Sequence, residues 1–168
     1  MPSPASIEQM LERLRRGDPA AFEEVLARYG GPLQAALRRI APAEAEDIVQ
    51  ETFARLFQNV HRVRDLRAWL YTVAMNLARS RLRRPPPPEA RPGVPEDPSD
   101  LRDALDAAIA ALPEKARAAF VLREVAGLST SEVAQAEGCS EEAVRQRLFE
   151  ARRKLRESLG PLLERSLP

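Results

Sequence analysis

GLSTSEVAQAEGCSEEAVRQRLFEARRKLRESL, residues 127–159, decides the fold: it spells a short helix, a tight turn and a longer helix. Ser129 and Glu132 stand at the S-x-x-E spacing of a capping box, in which each side chain accepts from a backbone amide that the first turn leaves without a partner. The first helix is predicted to end at Gly138, because glycine takes the left-handed conformation at little cost. Cys139 then leads to Ser140, an N-cap for a second helix that opens with Glu141 and Glu142 at the positive end of its dipole. Along that helix Val144, Leu148, Ala151, Leu155 and Leu159 recur at helical spacing and mark the face that packs inward. Opposite them stand Glu142, Gln146, Phe149 and Arg153, flanked by Arg145, Arg152 and Arg156 on one side and by Arg147 and Lys154 on the other. Forked guanidiniums and an amide presented from the first turns are the donors that phosphates and purine edges accept in a major groove. A solvated amphipathic helix carries similar charges. Two capped helices joined at a glycine favour a DNA-reading helix-turn-helix instead.

The rest of the composition agrees with helices. Aromatic residues make up 5% of the 168, glycines number 7, and β-branched runs are absent, so an all-α protein is predicted. The net charge of +1 conceals an uneven distribution. Residues 62–84 carry Arg62, Arg64, Arg67, Arg79, Arg81, Arg83 and Arg84 against Asp65, whereas residues 96–114 are mostly acidic. One Cys and one His, far apart in sequence, supply neither a zinc site nor a disulfide, so no metal or cofactor is expected. No apolar run has the length to span a bilayer and the N-terminus has no basic-then-apolar signal, which points to a cytoplasmic protein without membrane insertion.

Taken in order, the chain predicts four helices, a linker and four more. Ser6 caps the first, with Ile7, Met10, Leu11 and Leu14 on one face. Asp18 caps the second, with Pro19 at its first position and Phe22, Val25, Leu26 and Tyr29 inward; Gly30-Gly31-Pro32 should kink or interrupt it before Leu33, Leu37 and Ile40 resume the stripe. The third starts near Ala43 and turns a broad apolar face inward, Ile48, Val49, Phe53, Leu56, Phe57 and Val60, leaving Asp47, Gln50, Glu51 and Arg55 outside. After a short loop the fourth buries Leu66, Trp69, Leu70, Val73 and Leu77 and ends in an arginine cluster. Pro85–Pro88 stop it, and the Pro-rich, acidic stretch through Asp100 reads as a semi-extended linker. Two domains follow, residues 1–84 and 101–168, joined by residues 85–100. In the second, Asp100 caps a helix through Leu112 and Pro113 opens another through Ala126, with Phe120, Val121 and Val125 free to pack.

With both halves read, the chain resembles the extracytoplasmic-function group of the sigma-70 family of RNA polymerase sigma factors. EAEDIVQETFARLF resembles the family's region 2.2, RAWLYTVAMNLARSRLRR its region 2.3 to 2.4, and LPEKARAAFVLREVAGLSTSEVAQAEGCSEEAVRQRLFEARRKL its region 4. Three motifs in that order, separated by a proline linker, are far more specific than any one of them.

The resemblance implies a transcription initiation factor that binds core RNA polymerase, through the β′ clamp helices and the β flap, together with promoter DNA, and that an anti-sigma factor holds inactive. It implies that Asp47, Gln50, Glu51 and Phe53 face the polymerase. It implies that Asn76 hydrogen-bonds a flipped base of the minus-ten element, offering both a donor and an acceptor, with Arg62, Arg64, Arg67, Arg79 and Arg83 along the backbone. Tyr71 is a candidate to stack on an unpaired base, whereas Trp69 lies on the inward stripe. For the minus-thirty-five element it implies Ser140, Arg145, Gln146, Arg147, Phe149, Arg152 and Arg153. Two features depart from the family pattern: the loop between Gln58 and Trp69 is short and has no glycine, and Glu150 stands where a basic residue is common.

No catalytic constellation is visible. The carboxylates have no paired apolar setting, the histidine sits among arginines, and no glycine-rich phosphate cradle occurs. Two rivals remain at this stage: a helix-turn-helix regulator whose N-terminal bundle dimerises or binds an effector, and a helical adaptor with no DNA role. The first would bind duplex DNA tightly on its own, and the arginines of the fourth and last helices count against the second.

Overall fold

The computed structural model describes residues 4–83 and 101–166. The predicted linker, Arg84, the cap assigned to Asp100 and the residues after 166 lie outside that range. Among the described residues the chain is helical, with no strand.

The first half is α1 (Pro4–Arg15), α2 (Pro19–Ile40), α3 (Ala45–Asn59), a 3-10 turn (Val60–Arg62) and α4 (Leu66–Leu82). Local chemistry sets most of the boundaries. Asp18 accepts from the Ala20 amide at 2.9 Å with Pro19 at the first helical position, and Arg13, 2.8 Å away, holds the Asp18 carboxyl below the usual carboxylate range. Asp65 caps α4 by accepting from the Ala68 amide at 3.0 Å. α1 begins two residues ahead of Ser6, so Ser6 is a helical residue and not the cap.

α2 corrects the expected break. It runs unbroken through Gly30, Gly31 and Pro32, because Val25 before them and Leu33, Leu37 and Ile40 after them fall on one fully buried stripe. Burial of that stripe outweighs the hydrogen bond that Pro32 does not make. α2 is also the spine of the whole molecule, packing on α1, α3 and α4 and on the helices of the second half.

The second half is α5 (Leu101–Ala110), α6 (Glu114–Phe120), a π turn (Val121–Val125), α7 (Thr130–Glu137) and α8 (Glu141–Ser166). The helix expected to run from Pro113 to Ala126 therefore widens over its last turn, where the Ala126 amide donates to the Val121 carbonyl at 3.0 Å. Val125 is left outside, 40% exposed, instead of packing. The helix-turn-helix forms as read. Ser129 Oγ accepts from the Glu132 amide at 3.1 Å, Glu132 accepts from the Ser129 amide at 2.7 Å, and Gly138 closes α7 at φ 63°. Ser140 Oγ then accepts from the Ala143 amide at 3.2 Å.

The halves are not separate beads. One apolar cluster runs from Met10, Val25 and Ile48 through Leu70 and Met75 to Leu122, Val133 and Val144. Arg39 of α2 pairs with Asp106 of α5 at 2.9 Å, and α4 packs along α7.

Candidate nucleic-acid and polymerase interface

Three faces hold the residues singled out by the sequence. The first is the outer side of α3. Gln50 is exposed, Asp47 has 76% of its side chain in solvent, and Glu51 is half-buried between Arg55 and Arg81, with a 2.6 Å contact to each. Burial raises the Glu51 pKa, but the two guanidiniums outweigh it and leave the carboxyl below its ordinary value, hence ionised. Phe53 is not on this face: it is 4% exposed and meets Phe22 edge-on at 6.4 Å. Phe57, expected inward, is 70% exposed and also meets Phe22 edge-on, at 6.0 Å. It lies two turns beyond Gln50, so the face carries carboxylates, an amide and an aromatic ring. A helical wheel anchored on Gln50 finds Phe57; one drawn for apolarity alone puts it in the core.

The second face belongs to α4 and the loop before it. Arg62 and Arg64 are exposed on the loop and Arg83 at the helix end. Asn76, Arg79, Ser80 and Arg83 surround a shallow cavity of about 280 Å³, an amide and a hydroxyl among guanidiniums. Ser80 was not singled out from the sequence. Two arginines of this face are engaged by the second half of the chain. Arg67 donates to the Ala126 carbonyl at 2.8 Å, and Arg79 donates to the carbonyls of Ala136 at 2.9 Å and Glu137 at 2.7 Å, filling the acceptors that the end of α7 leaves open. Arg79 also donates to Asn76 Oδ1 at 2.7 Å. Tyr71 is not a stacking platform in this arrangement: it is 3% exposed, and burial pushes its phenol up to about 12. Trp69 is half-buried against the core.

The third face is the outer side of α8. Arg145, Gln146, Phe149, Arg152 and Arg153 are exposed together, Phe149 at 73%. Ser140 sits at the N-cap, with the helix dipole aimed outward. The guanidiniums are loosely held: Arg145 by Glu141 and Glu142 at 3.5 and 3.4 Å, Arg152 by Glu124 at 2.7 Å and Arg153 by Glu157 at 2.8 Å. Exposed pairs of this kind are worth about 0–1 kcal/mol, so a phosphate or base edge exchanges for them readily. Arg147 is different. Its Nη1 lies 3.4 Å from Glu137 Oε2 and 3.3 Å from Cys139 Sγ, with only 20% of the side chain in solvent, so it braces the turn rather than facing outward. Arg123, from the π turn, joins this face beside Arg145 and Arg152; nothing in its local sequence marks it, because the helix must widen before it points there.

None of the described helices is long and apolar enough to cross a membrane. The chain matches two family descriptions, Sigma-70 region 2 over residues 25–85 and Sigma-70, region 4 over residues 102–155. It is 32% identical to the RNA polymerase sigma-H factor of Pseudomonas aeruginosa, over 93% of this chain and 95% of that one. It is 31% identical to the ECF RNA polymerase sigma-E factor of Escherichia coli K12, with the same two coverages of 93% and 95%. Among solved structures, CnrH in complex with the cytosolic domain of CnrY superposes with a TM-score of 0.69 at 27% identity, covering 94% of this chain and 97% of that one. The sigma factor RpoE of Bartonella quintana, in complex with the anti-sigma factor NepR, shares the fold at a TM-score of 0.70 and 23% identity, covering 83% of this chain and 96% of that one.

Proposed function

Because the chain belongs to the extracytoplasmic-function group of the sigma-70 family, an alternative sigma factor of transcription initiation, we propose that its three exposed faces divide promoter use among them. The α3 face, with Asp47, Gln50, Glu51 and Phe57, docks on the clamp helices of core RNA polymerase. Residues 1–84 and 101–168 act as two binding domains across the linker at residues 85–100. The α4 face reads the minus-ten element as a single strand, with Asn76 on a flipped base and Arg62, Arg64, Arg67, Arg79 and Arg83 on the backbone. The α8 face reads the minus-thirty-five duplex through Arg145, Gln146, Phe149, Arg152 and Arg153. The β flap is the second polymerase contact.

The observation that carries this is the order of the two family matches along one chain, with the recognition side of α8 left open. Binding alone supplies the work in this reading: two modest DNA contacts gain effective concentration by being held on one polymerase, and capture of the flipped base draws the strands apart without catalysis by this chain. It operates in the cytoplasm, where the polymerase is. CnrH, which folds alike, is crystallised with a protein partner, and that supports an anti-sigma factor as the inhibitory partner here.

The test is to mix the purified chain with core RNA polymerase from its source. Co-elution and transcription from the promoter upstream of its own gene are expected. A duplex DNA shift by the chain alone, without co-elution, overturns the reading in favour of an ordinary helix-turn-helix regulator.

A further inference from the structure

The arginines at the end of α4 look alike in sequence, yet they divide between two faces. Arg79 and Arg83 stand with Asn76 and Ser80 around the shallow cavity. Arg81, two residues from each, points to the other side of the helix, since neighbours at that spacing do not share a face. There it crosses to α3. Its Nη2 is 2.6 Å from Glu51 Oε2 and its Nη1 is 3.8 Å from Asp47 Oδ2. The second oxygen of Glu51 accepts from Arg55 Nη2 at 2.6 Å. Each oxygen of this carboxylate is therefore held by a guanidinium from a different helix. Glu51 left to Arg55 alone would follow the rotamers of α3; with Arg81 in place its orientation is set from α4 as well.

We propose that Arg81 is a positioning residue of the polymerase-docking face, fixing the Glu51 carboxylate and holding Asp47 beside it, and that it is not one of the DNA-contacting arginines of α4. This rests on the assignment of the α3 face to core polymerase. The physical gain is preorganisation: a carboxylate already held in its binding orientation loses less side-chain freedom on docking, and a fixed pattern of charge selects one register on a partner helix. A forked guanidinium reaches two carboxylates at once, which a single ammonium does not.

The test titrates core RNA polymerase with the labelled full-length chain carrying Arg81→Ala, Arg81→Lys, Glu51→Gln or Arg81→Ala with Glu51→Gln, and records the melting temperature of each free protein. The salt dependence of holoenzyme binding to a single-stranded minus-ten oligonucleotide is measured alongside. Expected are losses of core affinity of about five- to tenfold for Arg81→Ala and for Glu51→Gln, a double variant no weaker than the weaker single, and a smaller loss for Arg81→Lys. Melting temperature and salt slope stay at the wild-type values. A merely structural role for Arg81 would lower the melting temperature and make the losses multiply; a phosphate contact would reduce the salt slope by about 0.7 while core affinity held. Either result overturns the proposal. So does an unchanged core affinity in Glu51→Gln, which would also remove α3 from the polymerase interface. Loss with Glu51→Gln but none with Arg81→Ala or Arg81→Lys would sink the role of Arg81 alone.

Discussion

Asn76 and Arg145 are both exposed and both lightly held, so their truncation costs binding more than folding. Asn76→Ala removes one side chain able to donate to and accept from a base edge. Open-complex formation, followed by permanganate reactivity of the unpaired thymines, is expected to drop about tenfold, with duplex binding upstream little changed, for a loss of about 1–2 kcal/mol. Arg145→Ala is expected to show the converse, about 1–3 kcal/mol lost in closed-complex binding and a preference for the minus-thirty-five sequence that flattens. Buried Glu137 makes a different prediction. Its side chain is 6% exposed, Oε1 has no partner, and burial raises its pKa against the opposing pull of Arg79 and Arg147. A folded-state pKa above the unfolded value means that the native state favours the protonated form, so stability falls as pH rises from about 4.5 through the raised pKa. Glu137→Gln, uncharged throughout, is expected to melt above the wild type at neutral pH, and the gap should close as the pH is lowered toward 4.5. No arrangement of letters signalled this, because Glu137 looks like any exposed helical glutamate until α4 lies against it.

The helices differ in how openly their letters declare them. Ser129, Glu132, Gly138 and Ser140 act through partners at most four residues away, and all four do in the structure what their spacing implies. The boundary of α7 was legible for that reason. Ser129→Ala is expected to cost about 1 kcal/mol of unfolding free energy in a denaturant titration, since the Glu132 amide loses its side-chain acceptor. Gly138→Ala is expected to cost about 1–2 kcal/mol, as its backbone sits at φ 63°. Where the deciding partner is distant, the letters mislead. Gly30-Gly31-Pro32 reads as a kink or a break, but α2 carries one stripe shared by both halves of the chain, and that burial keeps the helix continuous through the weak formers. Phe53 and Phe57 lie one turn apart and both meet Phe22 edge-on, yet the first is covered by the core and the second is in solvent.

At the scale of the whole molecule, two of the arginines assigned to the minus-ten strand are already spent on the other half of the chain. Arg79 fills both open carbonyls at the end of α7 and Arg67 takes the Ala126 carbonyl after the π turn, while a Cβ on Gly138 or Gly127 would come within 3.7 or 3.5 Å of these same guanidiniums. The linker's proline content, legible from the sequence, implied two domains; the continuous core and these three hydrogen bonds were not legible, because they join residues about sixty positions apart. The outer side of α8 stays open in the same arrangement, so the two faces proposed to read DNA are unequally available. Hydrogen bonds from a charged donor contribute about 1.5–3 kcal/mol each where water is excluded, and the two from Arg79 are half-buried. Arg79→Ala is therefore expected to shift the free chain toward separated halves by an order of magnitude or more. The check is the distance between a spin label on exposed Ser80 and one on exposed Gln135, measured by pulsed electron resonance: a single short distance in the wild type, and in Arg79→Ala a broad distribution at longer range. An unchanged short distance would mean that the apolar packing of α4 on α7 holds the halves together without the arginine.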